Sequence, residues 1–347
     1  MLNNKSVLIT GGTGSFGRKM VEVILRYFTP RRLIVYSRDE LKQYEMAKVF
    51  TRKQYPCMRY LIGDVRDKDR LFRAFNDVDF VIHAAALKHV PIAEYNPFEV
   101  IKTNILGSQN VIECAIDQGI SKIIGLSTDK ATSPVNLYGA TKLCADKLFL
   151  AGSSYVGSRN CSISVVRYGN VLASRGSVIP LFLEQRASGV LSVTDPRMTR
   201  FWITLEEACH FVLFTFSVMT GREIFIPKLP SMALNEMASA IAPGCRIETI
   251  GIRPGEKLHE KMIAGDDARR VVEFEDHYRE LAITHDRDGY IAAQGGAAVA
   301  DGFEYCSHTN AWQLSPDELL RIIESLQMAP GGTGATPPLK TRWKIRT

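Results

Sequence analysis

Short runs of aliphatic and β-branched residues recur through the first half of the chain, separated by stretches with helical spacing of apolar positions. Val7-Leu8-Ile9-Thr10 opens the series, in a run that begins at Ser6. Leu33 to Tyr36, Tyr60 to Ile62, Phe80 to His83, Ile123 to Ser127 and Ser164 to Arg167 continue it. Gly17 to Tyr27 reads as a helix, and a more polar helix begins at Glu40. Runs of this length without polar alternation are strands buried on both faces. Helices between them predict an α/β fold with a doubly wound parallel sheet and right-handed crossovers.

The rhythm breaks near residue 175. Strands become isolated, loops lengthen, and polar motifs with Pro, Gly and Arg appear, such as Pro196 to Arg200 and Arg253 to Lys257. Helical spacing returns at Glu206 to Met219 and at Pro316 to Leu326. The expected division is a dinucleotide-binding unit over 1–175 and a smaller C-terminal substrate-binding region over 176–327, partly interleaved with the sheet. Residues 328–347, rich in Gly, Pro, Thr and basic residues, are expected to form a flexible tail.

The turn after the first strand reads Gly11-Gly12-Thr13-Gly14-Ser15-Phe16-Gly17. Glycines there give a tight turn and let a pyrophosphate approach backbone N–H groups at a helix N-terminus. With strand and helix correctly placed on either side, the turn points to a Rossmann-like cofactor site. The second strand ends in Ser37-Arg38-Asp39, with Lys42 one turn on. A 2′-phosphate needs a basic partner where NAD-binding chains carry an acid. Ser37 and Arg38 precede Asp39, so the reading favours NADP. Asp64-Val65 after the third strand and Ala84-Ala85-Ala86 after the fourth lie at the same sheet edge. There Asp64 is expected to accept the adenine amino group, and the alanines to let the dinucleotide lie against the backbone.

Composition narrows the field without adding chemistry. Lys and Arg exceed Asp and Glu by 43 to 37, giving a net charge of +6. The basic residues are scattered, which argues against nucleic acid as a partner. Seven cysteines form no C-x-x-C pair and are expected to be reduced, buried thiols. The histidine spacing offers no metal site. No apolar run reaches about 18 residues, and the chain enters a strand almost at once. These features predict a cytoplasmic enzyme with no membrane partner.

Tyr138-x-x-x-Lys142 places a phenol and an amine on one helical face, so the ammonium is expected to lower the Tyr138 pKa. Such a tyrosine can take a hydroxyl proton as hydride leaves the same carbon. Thr128, Asp129 and Lys130 at the end of the fifth strand add an acid and an amine that a plain dehydrogenase does not need. Elimination of water needs both a base and an acid.

Six motifs in order carry a resemblance: Ala84 to Pro91, Ser127 to Lys130, Tyr138-x-x-x-Lys142, Arg167 to Val171, Met198 to Trp202 and Arg253 to Lys257. Over roughly residues 3–326 the chain resembles the inverting UDP-N-acetylglucosamine 4,6-dehydratases of pseudaminic acid biosynthesis. These are hydro-lyases of the extended short-chain dehydrogenase/reductase superfamily. Retaining relatives typically carry Asp-Glu where this chain has Asp129-Lys130.

The resemblance implies the following roles. Tyr138, helped by Lys142 and Thr128, deprotonates the carbon 4 hydroxyl while NADP takes the hydride. Lys130 removes the carbon 5 proton, and Asp129 protonates the departing carbon 6 hydroxyl. Hydride returns to carbon 6, and reprotonation from the opposite face inverts carbon 5. Lys130 would have to be neutral, which calls for a lowered pKa. Arg253 suits the UDP diphosphate, Asn170 a phosphate or sugar oxygen, and Lys88 and His89 the sugar. Arg200 would add charge near the nucleotide, and Val178 and Leu181 would line a uracil pocket. Relatives form homo-oligomers, often hexamers. Flagellin glycosylation, capsule and lipopolysaccharide all stay open as destinations for the product. Two rival readings are a nucleotide-sugar 4-epimerase and a non-catalytic NADP-sensing protein.

Overall fold

The structure is a computed structural model that describes residues 1–172, 177–327 and 343. Six parallel strands build the first half: Ser6–Thr10 (β1), Arg32–Ser37 (β2), Met58–Ile62 (β3), Phe80–His83 (β4), Lys122–Thr128 (β5) and Ser162–Tyr168 (β6). Their order is β3-β2-β1-β4-β5-β6, so the chain reverses direction between β1 and β4. Every residue of β1 and β4 is buried. That burial explains why both read as continuous apolar runs, since a parallel sheet is covered on both faces. One covering layer pairs Ser15–Tyr27 (α1) with the helix Leu205–Val218, and the other includes Gly107–Asp117 and Leu137–Gly152. Arg26 of α1 meets Glu206 at 2.7 Å, so a helix from the second half belongs to the sheet's first layer.

The remaining strands are Asn170–Val171 (β7), Val190–Val193 (β8), Thr199–Ile203 (β9), Glu223–Pro227 (β10), Ser231–Ala233 (β11) and Arg246–Thr249 (β12). Lys261–Ile263 (β13), Val271–Glu273 (β14), His277–Leu281 (β15), Ala297–Ala298 (β16) and Tyr305–Cys306 (β17) complete the set. Past β6 the otherwise parallel sheet gains a mixed edge. β10 joins β6 in parallel, but β15, β14 and β16 then extend the same sheet antiparallel. These short strands alternate with loops and lack the long apolar runs that marked the first six.

A second core holds Trp202, Met232, Met237, Ile241, Leu319 and Ile322. It sits among β9, β11 and the helices Val178–Gln185, Leu234–Ile241 and Pro316–Gln327, separate from the main sheet core. The 173–176 segment and most of the expected tail lie outside the described residues. Trp343 alone is described there, buried against Phe211 with ring centroids 4.8 Å apart. The cysteine expectation needs correcting. All seven are free thiols, but Cys144 is exposed and only Cys114, Cys209 and Cys306 are buried.

The β1–β4 junction is stapled by a buried histidine. Ser108 Oγ donates to the Asn104 carbonyl oxygen (2.6 Å), so His83 Nε2–H donates to Ser108 Oγ (3.2 Å). His83 Nδ1 then accepts from Thr10 Oγ1 at 2.8 Å, and the Ala85 N–H donates to that Thr10 oxygen. Burial, with the Lys142 charge adding to it, pushes the His83 pKa down to about 3. The folded chain therefore keeps His83 neutral, while the unfolded chain protonates it below its ordinary 6.5. The unfolded state binds more protons in that window, so stability falls as pH drops from 6.5 toward 3. His83→Gln should remove up to about 1.4 kcal/mol per pH unit of this slope. Urea unfolding between pH 6.5 and 4.5 measures it, and an unchanged slope would contradict the assignment.

Candidate active site

The cofactor crevice lies where the chain reverses, outside the carboxyl ends of β1 and β4. Gly11 has a φ of +64°. A Cβ there would stand 2.8 Å from the Ala85 backbone, so no side chain fits between the turn and the Ala84–Ala86 segment. Gly17 packs equally tightly, since a Cβ would meet the Gly12 backbone. Gly14 caps α1 with extended backbone and no side-chain capping bond. The first intrahelical bond runs from Arg18 N–H to the Gly14 carbonyl. The N–H groups of Ser15, Phe16 and Gly17 are thus left facing the crevice mouth, the arrangement that favours an anion. Thr13 is half-buried beside them, and Phe16 stacks against Tyr168 at the end of β6.

At the end of β2, Ser37 is buried and accepts a hydrogen bond from Gln43 Nε2. Arg38 is half-exposed and reaches Asp64 at 3.5 Å. Asp39 is engaged locally. Its carboxylate caps Glu40–Val49 (α2) by accepting from Lys42 N–H, and Lys42 Nζ pairs with it at 2.7 Å. Asp64 is less open than expected, because Arg66 grips its carboxylate through Nε and Nη2 at 2.9 and 2.7 Å. Val65 is buried beside it.

The candidate reacting groups gather at the end of β5. Asn136 caps the helix Leu137–Gly152 and so sets the first-turn position of Tyr138. Thr128 Oγ1 donates to Asp129 Oδ1 at 2.9 Å, and Lys130 Nζ donates to the same oxygen at 3.0 Å. Asp129 is fully buried, and its Oδ2 has no hydrogen-bond partner. Thr128 also lies against the Tyr138 hydroxyl, and its one hydroxyl proton, held by Asp129 here, favours the phenolate when it turns to Tyr138.

Two electrostatic expectations are overturned. Burial pushes Tyr138 up to about 12, and the cation that pulls it back is Lys130. Lys142 is fully buried and donates instead to the Leu126 carbonyl oxygen at 2.6 Å. Its own pKa is lowered, by burial that outweighs Asp146. Lys130 departs from expectation in the opposite sense. Burial alone would lower it, but Asp129 and Glu260 outweigh that and hold its pKa above the usual lysine value. The resting group is an ammonium, not a neutral amine.

Glu260 went unnoticed in the sequence. It is buried, with Oε1 3.4 Å from Lys130 Nζ. A lone acid after Leu258-His259 carries no pattern, and only its proximity to the Arg253–Lys257 motif could have drawn attention to it. The motif itself is a clamp. Asn136 Nδ2 donates to the Gly255 carbonyl oxygen at 2.7 Å, and Lys257 Nζ to that of Thr132 at 2.6 Å. Burial, with nearby Lys130 and Arg200, lowers the Lys257 pKa.

The substrate candidates divide. Lys88 stands close enough to Lys130 for that charge to join burial in lowering its pKa. Asn170 Oδ1 is buried without a partner at the start of β7. His89 is exposed at the cap of Val90–Tyr95, and Arg253 is exposed on its turn. Val178 is half-buried against the second core, with Leu181 more exposed on the same helix. Arg200 is already committed. It donates to the carbonyl oxygens of Thr199, Lys257 and Leu258 at 2.8–3.0 Å, and its Nε lies 3.8 Å from Glu260. Its place is beneath the site, bracing the clamp.

A doubly wound sheet, a glycine turn at its switch point and a Tyr-x-x-x-Lys helix beside β5 define an extended short-chain dehydrogenase/reductase. The chain belongs to the polysaccharide biosynthesis protein family, whose model matches residues 7–282. It is 55% identical over 331 residues to the inverting UDP-N-acetylglucosamine 4,6-dehydratase of Campylobacter jejuni serotype O:2, covering 93% of this chain and 98% of that one. It is 36% identical over 335 residues to a UDP-glucose 4-epimerase of Rickettsia conorii, covering 94% and 97%. The X-ray structure of Pen from Bacillus thuringiensis matches with a TM-score of 0.83 and 37% identity, covering 93% and 99%.

Gly11→Ala should leave the far-UV circular dichroism spectrum intact but weaken dinucleotide binding at least about tenfold. The new methyl both strains the turn and pushes at Ala85. Calorimetric titration with NADP reads the change, and parental affinity would remove the turn from the cofactor site.

Proposed function

We propose that this chain converts UDP-N-acetylglucosamine to UDP-2-acetamido-2,6-dideoxy-β-L-arabino-hexos-4-ulose, eliminating water and inverting carbon 5. One observation carries the reading: a buried acid and an amine, Asp129 and Lys130, sit 3.0 Å apart beside the Tyr138 helix. The identity to the Campylobacter dehydratase supports it.

The crevice fits a nicotinamide dinucleotide, because Gly11 and Gly17 leave a cradle that a Cβ would fill. That cofactor supplies a hydride acceptor at carbon 4 and later a donor at carbon 6. Ser37 and Arg38 support NADP, with Asp39 spent on its helix cap. Tyr138 accepts the carbon 4 hydroxyl proton, with Thr128 and the Lys130 charge favouring its phenolate. The resulting ketone acidifies carbon 5.

Lys130 meets the demand for a base without being neutral at rest. Its proton passes to Asp129 across the 3.0 Å contact, which yields an amine and a carboxylic acid together. The amine takes the carbon 5 proton. The acid protonates the carbon 6 oxygen as its bond to carbon breaks, and water leaves. Both groups return to their resting charge. Lys88, Asn170 and Arg253 are assigned to the sugar and diphosphate, and His89, Val178 and Leu181 to the outer pocket.

The similarity to the Rickettsia epimerase keeps a second outcome in view. Incubation with UDP-N-acetylglucosamine in heavy water separates the two. Loss of water, with deuterium and changed configuration at carbon 5, is the expected result. Inversion at carbon 4 with retained mass would mean an epimerase. Lys130→Ala should abolish turnover while NADP still binds, and near-normal activity would remove Lys130 from the mechanism. Arg38→Ala should cut the preference for NADP over NAD by about tenfold or more, the worth of one charge-assisted hydrogen bond. Paired titrations with both nucleotides check this, and an unchanged ratio would place the phosphate contact elsewhere.

A further inference from the structure

Glu260 is the buried titratable group at the site for which the reaction described above has no use. Its carboxylate is buried, with Oε1 3.4 Å from Lys130 Nζ. Its Oε2 has no hydrogen-bond partner, the nearest cation being Lys257 Nζ at 3.9 Å. The backbone around it is fixed from another element. Ser307 Oγ accepts from the Glu260 N–H at 3.0 Å, and the Ser307 N–H donates to the Glu260 carbonyl oxygen. Thr199 and Ser307 hydroxyls lie 2.8 Å apart behind it. A backbone fixed this firmly sets the buried carboxylate, with its unfilled acceptor, beside its neighbour Lys130.

We infer that Glu260 is a positioning residue for the elimination, holding the Lys130 nitrogen against Asp129 Oδ1 in both of its charge states. The inference rests on the functional reading above. A lysine on a four-carbon stem has many rotamers, and Asp129 alone gives it one acceptor. When the proton moves to Asp129, the charge attraction between those two groups disappears. Glu260, 3.4 Å from Nζ, then offers an acceptor to the N–H of the neutral amine, so Nζ stays where the carbon 5 proton is delivered. No atom is consumed by Glu260. The Lys130 N–H bond breaks as the Asp129 O–H bond forms, and each is restored when carbon 5 gives up its proton and water departs.

The charge balance points the same way. Lys130 faces Asp129 on its own turn, Glu260 and Lys257 from the clamp, Arg200 from β9, Tyr138 from its helix and Lys88 from the loop after β4. Glu260 faces Lys130, Lys257 and Arg200. Without Glu260, three cations would crowd the single carboxylate of Asp129. The shared proton would then be lost at lower pH, because a cation among cations deprotonates more readily.

The test compares Glu260→Gln with the parent across pH. The expected variant binds NADP like the parent, changes KM less than about threefold and lowers kcat at least about tenfold. The alkaline limb of its kcat profile moves down by about one unit or more. Parental kcat overturns the inference, as does a lower kcat with the limb unmoved, which is what a merely structural role would give. Glu260→Asp guards against a variant that fails to fold. It keeps the charge but draws it back by one methylene, so the limb should stay in place while kcat falls at least about threefold. Parental kcat in Glu260→Asp overturns the inference too. If the parent makes dehydrated sugar and the variants match it, only this inference fails. A parent that makes none overturns the functional reading and this inference together.

Discussion

Holding the partly buried Lys130 ammonium between two carboxylates is the constraint around which the site is arranged. An isolated ammonium out of water costs several kcal/mol, and the cost is offset only by close, well-directed partners. Asp129 supplies one from the same turn. Glu260 supplies the other from a segment 130 residues along the chain, and that segment must be pressed onto the end of β5 to deliver it. The clamp bonds from Asn136 to Gly255 and from Lys257 to Thr132 do this pressing. The second half of the chain therefore supplies part of the floor of the candidate site.

The cations of the site fall into two kinds. Lys142, Lys257 and Arg200 donate to backbone carbonyl oxygens, which cannot take a proton from them. Their charges are fixed in place and set the local field. Lys130 alone among these four makes its closest contact with a carboxylate, the one partner that can accept its proton. The geometry thus separates fixed charge from mobile charge. Tyr138 answers to the same division, since the cation that favours its phenolate is Lys130 rather than the lysine four residues away.

The sheet was legible because burial on both faces writes itself as unbroken apolar runs, and β1 and β4 match their expected limits to the residue. The glycine turn was legible because at Gly11 any side chain would strain a left-handed turn and crowd the Ala85 backbone. The antiparallel strands β14 to β16 were not, because β14 and β16 are three-residue and two-residue segments, and the five residues of β15 are mostly polar, with no apolar run to read. Site chemistry divided along the same line. Residue types at β5 were plain, but their charge states were not, because these depend on partners far away in sequence. Glu260 decides the state of Lys130, and Leu126 decides where Lys142 points. Arg200 looked like a free cation in its motif, yet three carbonyl oxygens claim it.

An amine next to an acid also differs physically from two acids next to each other. Two carboxyl groups at this distance can act as base and acid only if one proton is taken up from outside, because both cannot remain ionised together. An ammonium and a carboxylate already hold the proton between them and are neutral as a pair. Passing it across 3.0 Å creates base and acid at once, with no net charge to solvate in a buried place. The pair then returns to its starting charge when the substrate has given one proton and received one. With Asp129 fully buried and Glu260 nearly so, such a pair can run an elimination without first taking up a proton from bulk water.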